Sequence, residues 1–236
     1  MASRKWVVVT GGTKGIGRAV LDKFAANGFD VCTCARNEKD LARWKDETER
    51  HFSVAAHAYR ADMSVKSEVM GFVDFVKREN RAVDVLVNNA GYFSPGLVTE
   101  EPEGALESMI DSNVYSAYHT TRGLVPAMKT AKGGHIFNMC SIASIKAYPN
   151  GGSYAISKFA LLGFSKVLRE ELKPYGIRVT AVLPGATRTA SWDGVDLPDE
   201  RFMKVEDVAD TIFAAYQLSG RSVVEEVLIR PLLGDI

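Results

Sequence analysis

Thr10-Gly11-Gly12-Thr13-Lys14-Gly15-Ile16-Gly17 follows the apolar run Trp6-Val7-Val8-Val9 and leads into a stretch, residues 18–27, with helical patterning. A strand that passes through a glycine turn into a helix is the place where parallel α/β sheets hold the pyrophosphate of a dinucleotide. The glycines have separate tasks. Gly11 permits the tight turn, Gly15 lets backbone approach phosphate oxygens, and Gly17 lets the helix sit close to the strand. The helix N-terminus adds unpaired N–H donors and positive potential. Three glycines alone describe only a flexible turn; the strand before them and the helix after them carry the reading.

Outward from that turn the chain alternates. Strand-like runs at residues 6–10, 30–35, 53–59, 83–87, 135–140, 177–183 and 223–229 are separated by helical patterns at 18–27, 40–50, 67–80, a long stretch ending at 130, 154–175 and 205–218. This order predicts an α/β protein: one Rossmann-type, doubly wound domain, a seven-stranded parallel sheet with helices on both faces. No interval is rich enough in Pro, Gly or Ser to be a linker, so residues 1–236 are expected to form a single dinucleotide-binding and catalytic domain. The least regular stretch, 188–203, with Gly194 and Pro198, is expected to be a mobile substrate loop over the site.

Composition narrows the function. The 236 residues are 46% hydrophobic and 25% charged, which fits a globular protein and excludes disordered and collagen-like classes. Twenty-nine basic and twenty-nine acidic residues cancel, so no global field draws the chain to nucleic acid or an anionic membrane. The start, Met1 to Trp6, is charged like a signal n-region, but the apolar stretch after it ends at Thr10, so no secretory signal follows. No apolar run nears the ~18 residues of a membrane span, and a cytoplasmic location is expected. Cys32, Cys34 and Cys140 are odd in number without CxxC spacing, and His51, His57, His119 and His135 lack paired ligand spacing. No disulfide framework and no metal site are expected; the cysteines read as core residues and the histidines as ordinary surface or partly buried groups.

The spacing TGxxxGIG resembles that of the short-chain dehydrogenase/reductase family, and the resemblance runs through most of the chain. Asn88-Asn89-Ala90-Gly91 stands after the fourth strand like the family's NNAG motif. Asn113, Ser141, Tyr154 and Lys158 match its catalytic set, and Pro184-Gly185 with Thr187 and Thr189 matches the segment that holds the nicotinamide. The resemblance implies hydride transfer between NADP(H) and a carbonyl or alcohol substrate, as in ketone or 3-oxoacyl reduction. It implies that Lys158 bonds the nicotinamide ribose and that Asn113 holds a water of the proton relay. It further implies a homodimer or homotetramer packed through the helical regions 103–130 and 154–175. The chain departs from the pattern at Cys140, where a second serine is frequent, and at Thr180, where asparagine is usual. Its ending, Leu228-Ile229-Arg230-Pro231-Leu232-Leu233-Gly234-Asp235-Ile236, replaces an Asp-Gly-Gly segment and argues against close kinship with the fatty-acid-synthesis 3-oxoacyl carrier-protein reductases.

The residues themselves suit that chemistry. Tyr154 and Lys158 are four apart, one helical turn on one face. A neighbouring ammonium favours the phenolate and is expected to lower the tyrosine pKa from ~10, making an acid or base near neutrality. Alone, YxxxK describes many solvated surface pairs. Ser141, thirteen residues earlier at the end of an apolar strand, changes that reading, because Ser141, Gly91 and Pro184 all fall at strand carboxyl ends and converge on one crevice. A serine without the tyrosine would be a plain loop hydroxyl, and Asn113 alone a helix-interior amide.

The adenosine end sets the cofactor. Ala35 ends the second strand where an acidic residue would hydrogen-bond the ribose of NAD, and Arg36 follows it. Lys14 precedes Gly15, so two cations flank the place of a 2′-phosphate, and NADP(H) is expected. Both are also ordinary solvated charges when taken singly. The cofactor contacts expected are Gly11, Thr13, Lys14, Gly15, Ile16, Gly17, Arg36, Asn37, Asp62, Met63, Asn89, Ala90, Gly91, Tyr154, Lys158, Pro184, Gly185, Thr187 and Thr189, with Asp62 on adenine. Pocket walls are expected from Tyr92-Phe93-Ser94, residues 143–150, and 190–203 with Trp192 and Phe202, with Lys146 and Arg188 more at home in solvent than on a charged substrate. Two other readings remain at this point: a dinucleotide-binding regulator of weak catalysis, which has no need of the full set Asn113, Ser141, Tyr154 and Lys158, and a nucleotide-sugar epimerase-type relative, which is usually longer.

Overall fold

β1, Trp6–Thr10, is buried along its whole length, as a strand covered on both faces must be. The computed structural model describes residues 4–236, so Met1, Ala2 and Ser3 of the charged start lie outside the described residues. β2 (Asp30–Ala35), β3 (Ala56–Arg60), β4 (Val85–Asn88), β5 (Gly134–Met139), β6 (Ile177–Pro184) and β7 (Glu226–Ile229) join β1 in one sheet. The order is β3-β2-β1-β4-β5-β6-β7 and every pairing is parallel. The doubly wound expectation holds.

Alternation along the strands builds two cores. Val7, Val9, Val85 and Val87 pack into one helical layer, Trp6, Val8 and Leu86 into the other, following the two-residue period of a strand. The first layer holds α1 (Gly15–Ala26), α2 (Glu38–Phe52) and α7 (Val205–Gln217), with Phe24 edge-on to Phe213 at 5.1 Å. The second holds α3 (Lys66–Lys77), α5 (Ser116–Ala131) and α6 (Gly152–Leu172), which bury Phe72, Met128 and Leu172. Strand order reverses between β1 and β4, and the crevice at the carboxyl ends of those strands is where such sheets take ligands.

Several boundaries differ from the sequence expectation. The third strand begins at Ala56 rather than 53, because Asn37 caps α2 early and Ser53 closes it in the left-handed region, φ 54°. The long helical stretch before 130 is three pieces: α4 (Ala105–Ile110), a π-helical turn at Asp111–Tyr115, and α5. The helix read at 154–175 ends at Leu172, with Pro174 in a 3₁₀ turn after it. The last strand is shortened to Glu226–Ile229. Among the described residues no helix is long and apolar enough to cross a membrane.

The sheet interior is also polar. Asn88 Nδ2 donates to Asn138 Oδ1 at 2.7 Å and to Thr121 Oγ1 at 2.9 Å, and Asn138 Nδ2 donates to Ser165 Oγ at 2.8 Å. These bonds tie β4 and β5 to α5 and α6 where buried amides need partners. Arg169, itself buried, donates to the carbonyls of Val179 and Glu225 and holds the approach to β7 against β6.

His135 is a correction. It is completely buried in β5, since a central strand is covered on both faces and leaves no wet position. Its Nε2 lies 2.7 Å from Thr180 Oγ1, which donates its own proton to the carbonyl of Val224. Burial, aided by the Arg178 guanidinium, pushes the imidazole pKa down to about 2. The unfolded chain takes up this proton near ~6.5 and the folded chain does not. The stability contributed by neutral His135 is therefore complete above the unfolded value and declines as pH falls from there toward 2. His135→Gln should lose less stability than the parent between pH 6.5 and 5, by about 1.5 kcal/mol, as read from urea unfolding at each pH. Parallel pH dependence in the two proteins would show that His135 is not the group responsible.

Candidate active site

α1 begins at Gly15 with no side chain capping it and no acidic residue in its first turn, whereas α2 has the Asn37 cap with Glu38 and Asp40. The first-turn N–H groups of α1 thus lack the partners that helix starts usually acquire. Gly15 sits at φ 57°, and a Cβ on Gly17 would come within 2.6 Å of the Gly11 carbonyl oxygen. These features fit an anionic pyrophosphate at the turn formed by Gly11, Thr13, Lys14, Gly15, Ile16 and Gly17.

The motif after β4 braces this turn. Asn89 Nδ2 donates to the carbonyls of Thr10 and Gly11, both at 3.0 Å. Thr10 Oγ1 in return accepts from the backbone N–H groups of Asn89 and Ala90 at 3.0 and 2.9 Å. Gly91 leaves room for Asn113, whose Oδ1 would stand 2.5 Å from a Cβ there. From the far side, Thr189 Cγ2 comes within 3.3 Å of a Cβ built on Gly15, so the segment after β6 closes over the turn.

At the adenosine end Arg36 is exposed, and Asn37 Oδ1 accepts from the N–H groups of Lys39 and Asp40. Lys14 is not a free cation: its Nζ lies 3.0 Å from Asp40 Oδ2. Asp62 Oδ1 accepts from the backbone and hydroxyl of Ser64 at 3.0 and 2.7 Å. Burial works to raise the Asp62 pKa, but the Ser64 bonds and the charges of Arg36 and Arg60 together bring it below the usual value. Met63 is buried against Cys34.

Ser141 follows β5 and opens a 3₁₀ turn, its Oγ accepting from the N–H of Ala143 at 3.1 Å. Tyr154 is the third residue of α6, and its ring meets Phe93 edge-on at 4.9 Å. Burial raises the phenol pKa, and hydrogen bonding from Ser141 offsets only part of the rise. This reverses the expected lowering by Lys158. The Lys158 ammonium donates to the Met139 carbonyl at 2.8 Å and lies 5.6 Å from the tyrosine ring. Its own pKa is pushed down to about 8 by burial, with the Cys140 thiol opposing. A phenol that keeps its proton at neutral pH is the form that can donate one.

Asn113 lies in the π-helical turn, with its side-chain amide already committed. Oδ1 accepts from the N–H of Tyr92 at 2.9 Å, and Nδ2 donates to the Tyr92 carbonyl at 3.1 Å and Ser157 Oγ at 2.9 Å. The amide ties the loop after β4 to α6.

Ser141 and Tyr154 open on a cleft of about 500 Å³ whose walls include Phe93, Ile142, Tyr148, Pro184 and Trp192. Phe202, expected in that wall, is buried behind Trp192 with rings 5.1 Å apart. Residues 188–203 form an excursion stapled at its base: Arg188 N–H donates to the Met203 carbonyl and Met203 N–H to that of Ala186, both 2.9 Å. Arg188 pairs with Asp199, 3.2 Å away.

Three participants escaped the sequence reading. Asp235 and Ile236 line the cleft, with Asp235 taking Lys146 at 3.2 Å and a two-pronged contact from Arg230. The departure at the chain's ending was the signal available. Glu101 accepts from the N–H of Ser153 at 2.9 Å and from its hydroxyl; nothing local in the sequence marks it. Among the described residues no group of His, Cys, Asp and Glu could hold a metal ion.

The chain is similar to known oxidoreductases in sequence and in fold. A sepiapterin reductase of Chlorobaculum tepidum is 31% identical over 98% of this chain and 97% of its own. The structure of an alcohol dehydrogenase from the archaeon Thermococcus sibiricus, complexed with 5-hydroxy-NADP, superposes with a TM-score of 0.91 at 25% identity, covering 98% of this chain and 97% of the other. L-sorbose reductase of Gluconobacter frateurii, complexed with NADPH and L-sorbose, gives 0.90 at 27% identity, with 97% and 96% covered. The short chain dehydrogenase model matches residues 5–198, and the chain belongs to that family.

Proposed function

We propose that this protein is an NADP(H)-dependent oxidoreductase that reduces a ketone or 3-oxoacyl compound, or oxidises the corresponding alcohol. The observation that carries the reading is the placement of half-buried Tyr154 beside Ser141 at the mouth of a largely apolar cleft, with the Lys158 ammonium one turn behind on the Met139 carbonyl. Similar proteins complexed with NADP-type cofactors support the cofactor. When bound, the nicotinamide supplies or accepts the hydride. Ser141 Oγ holds the substrate oxygen, and Tyr154 Oη gives it a proton as negative charge develops there. Lys158 would hold the ribose of the nicotinamide, and Pro184, Gly185, Thr187 and Thr189 would hold its nicotinamide end. Asn113 acts by holding Tyr92 and Ser157 in register.

Tyr154→Phe should fold and bind NADPH, followed by fluorescence, while turnover of a carbonyl panel falls by at least ~10²-fold. Undiminished turnover would falsify the assignment of the acid.

Arg36 is the cation left open for a 2′-phosphate, since Lys14 is shared with Asp40. The ratio of kcat/KM for NADPH over NADH should exceed one in the parent and drop by at least tenfold in Ala35→Asp, Arg36→Ala. A parent that prefers NADH, or a ratio that stays put, removes this part of the proposal.

Assembly as a homodimer or homotetramer is supported by apolar side chains that α6 leaves in solvent. Ile156, Phe159 and Val167 are exposed, while Leu161 and Leu162 face the interior. Light scattering at micromolar concentration should give two or four times the 25.8 kDa chain mass, and a monomer mass would end the proposal.

A further inference from the structure

Tyr154 stands in the first turn of α6, the part of a helix whose N–H groups have no intrahelical partner and which frays first. The residue that should cap it is Gly151, which has no side chain, and no side chain caps at that position. The missing acceptor arrives from far along the chain. Glu101 bonds both the N–H and the hydroxyl of Ser153, the residue before the tyrosine. Its carboxylate is held below the usual range by those Ser153 bonds and carries full negative charge to the positive end of the helix.

The niche around Glu101 is built for it. A Cβ on Gly96 would lie 2.6 Å from Glu101 Cγ, and a Cβ on Gly152, at φ 37°, would collide with its carboxylate. Gly96 N–H donates to the Asn150 carbonyl at 3.1 Å, and Gly96 bridges to Gly151. The same loop carries Phe93, whose ring packs edge-on against Tyr154. One carboxylate thus fastens the loop after β4 to the turn that aims the phenol.

We propose that Glu101 is a positioning residue for the reaction: by capping α6 at Ser153 and holding the Phe93 loop, it keeps Tyr154 aimed into the cleft. The proposal rests on Tyr154 being the proton donor. Glu101 touches neither cofactor nor substrate in this account. It acts on kcat through the tyrosine and leaves the dinucleotide turn alone.

The test compares Glu101→Ala, Glu101→Gln and Ser153→Ala with the parent and with Tyr154→Phe. Glu101→Ala should lower kcat about tenfold with the NADPH Kd unchanged, and Glu101→Gln, which keeps a hydrogen-bonding head of the same shape, should recover kcat to within about threefold. Hydrogen exchange read by mass spectrometry should speed up in Glu101→Ala over residues 151–156 and not over the glycine turn. Unchanged kcat and unchanged exchange at that turn would overturn the proposal. So would a loss of kcat, NADPH affinity and melting temperature together that Glu101→Gln fails to rescue, since that marks a general structural part. If Glu101→Ala does not fold, Glu101→Gln with Ser153→Ala carries the decision: near-parental kcat in the first and a several-fold loss in the second support the role, and equal values overturn it. A parent that reduces no carbonyl on the panel defeats the functional reading alone, because exchange at the α6 turn still decides whether Glu101 holds it.

Discussion

The bonds between Thr10 and the Asn89-Ala90 backbone, answered by Asn89 to the carbonyls of Thr10 and Gly11, hold the seam on which the site is built. β1 and β4 are neighbours in the sheet, yet the chain leaving each goes its own way, so their carboxyl ends would part without a stitch. Strand pairing stops short of these residues. Side-chain amide and hydroxyl therefore continue the ladder past the last backbone pair, and the glycine turn inherits its shape from that continuation. Gly17 can press against Gly11 only because the turn is pinned from the β4 side.

The sheet, the glycine turn and the tyrosine–lysine pair were legible in the sequence because each depends on a short interval. Strand burial shows as a run of apolar residues, and four residues make a helical turn. The contributions that could not be read are long in sequence. Glu101 meets Ser153 across 52 positions, and Lys146 meets Asp235 across 89. The burial of His135 belongs to the same class, since a polar residue in a strand is inside or outside according to what other segments cover it. The break before α5 was hidden for another reason: a π-helical turn keeps nearly the same apolar pattern as the α-helix around it, and the extra residue alters register more than composition.

Tyr154 and Lys158 do lie close together, but burial outweighs their attraction. Opposite-sign attraction between the ammonium and a phenolate is real, but it competes with the cost of holding either charge away from water. The fold buries Lys158, half-buries Tyr154 and gives the ammonium to the Met139 carbonyl, so desolvation outweighs attraction at the tyrosine. Lys158, near 8, stays largely protonated at neutral pH, and the phenol beside it keeps its proton there. Spacing on a helix can bring two groups together; whether they ionise is decided by the walls around them.

The cleft has one wall on the sheet ends and α6 and another on the segments that follow the last two strands. Ser141 and Gly185 follow the ends of β5 and β6, and Tyr154 stands in the first turn of α6. The opposite wall comes from the excursion at 188–203 and from the segment after β7, beyond or at the margin of the residues matched by the family model. That wall is fastened by side chains: Arg201 donates to the Asp235 carbonyl, and Asp235 gathers Arg230 and Lys146. Exposed ion pairs contribute little to stability one at a time, so this clasp can be rebuilt by substitution without unfolding the protein. Ser141 and Tyr154 stand at places set by a strand end and a helical turn, while the wall across the cleft is joined by side-chain bonds between residues distant in sequence, which is why the first was readable from spacing and the second was not.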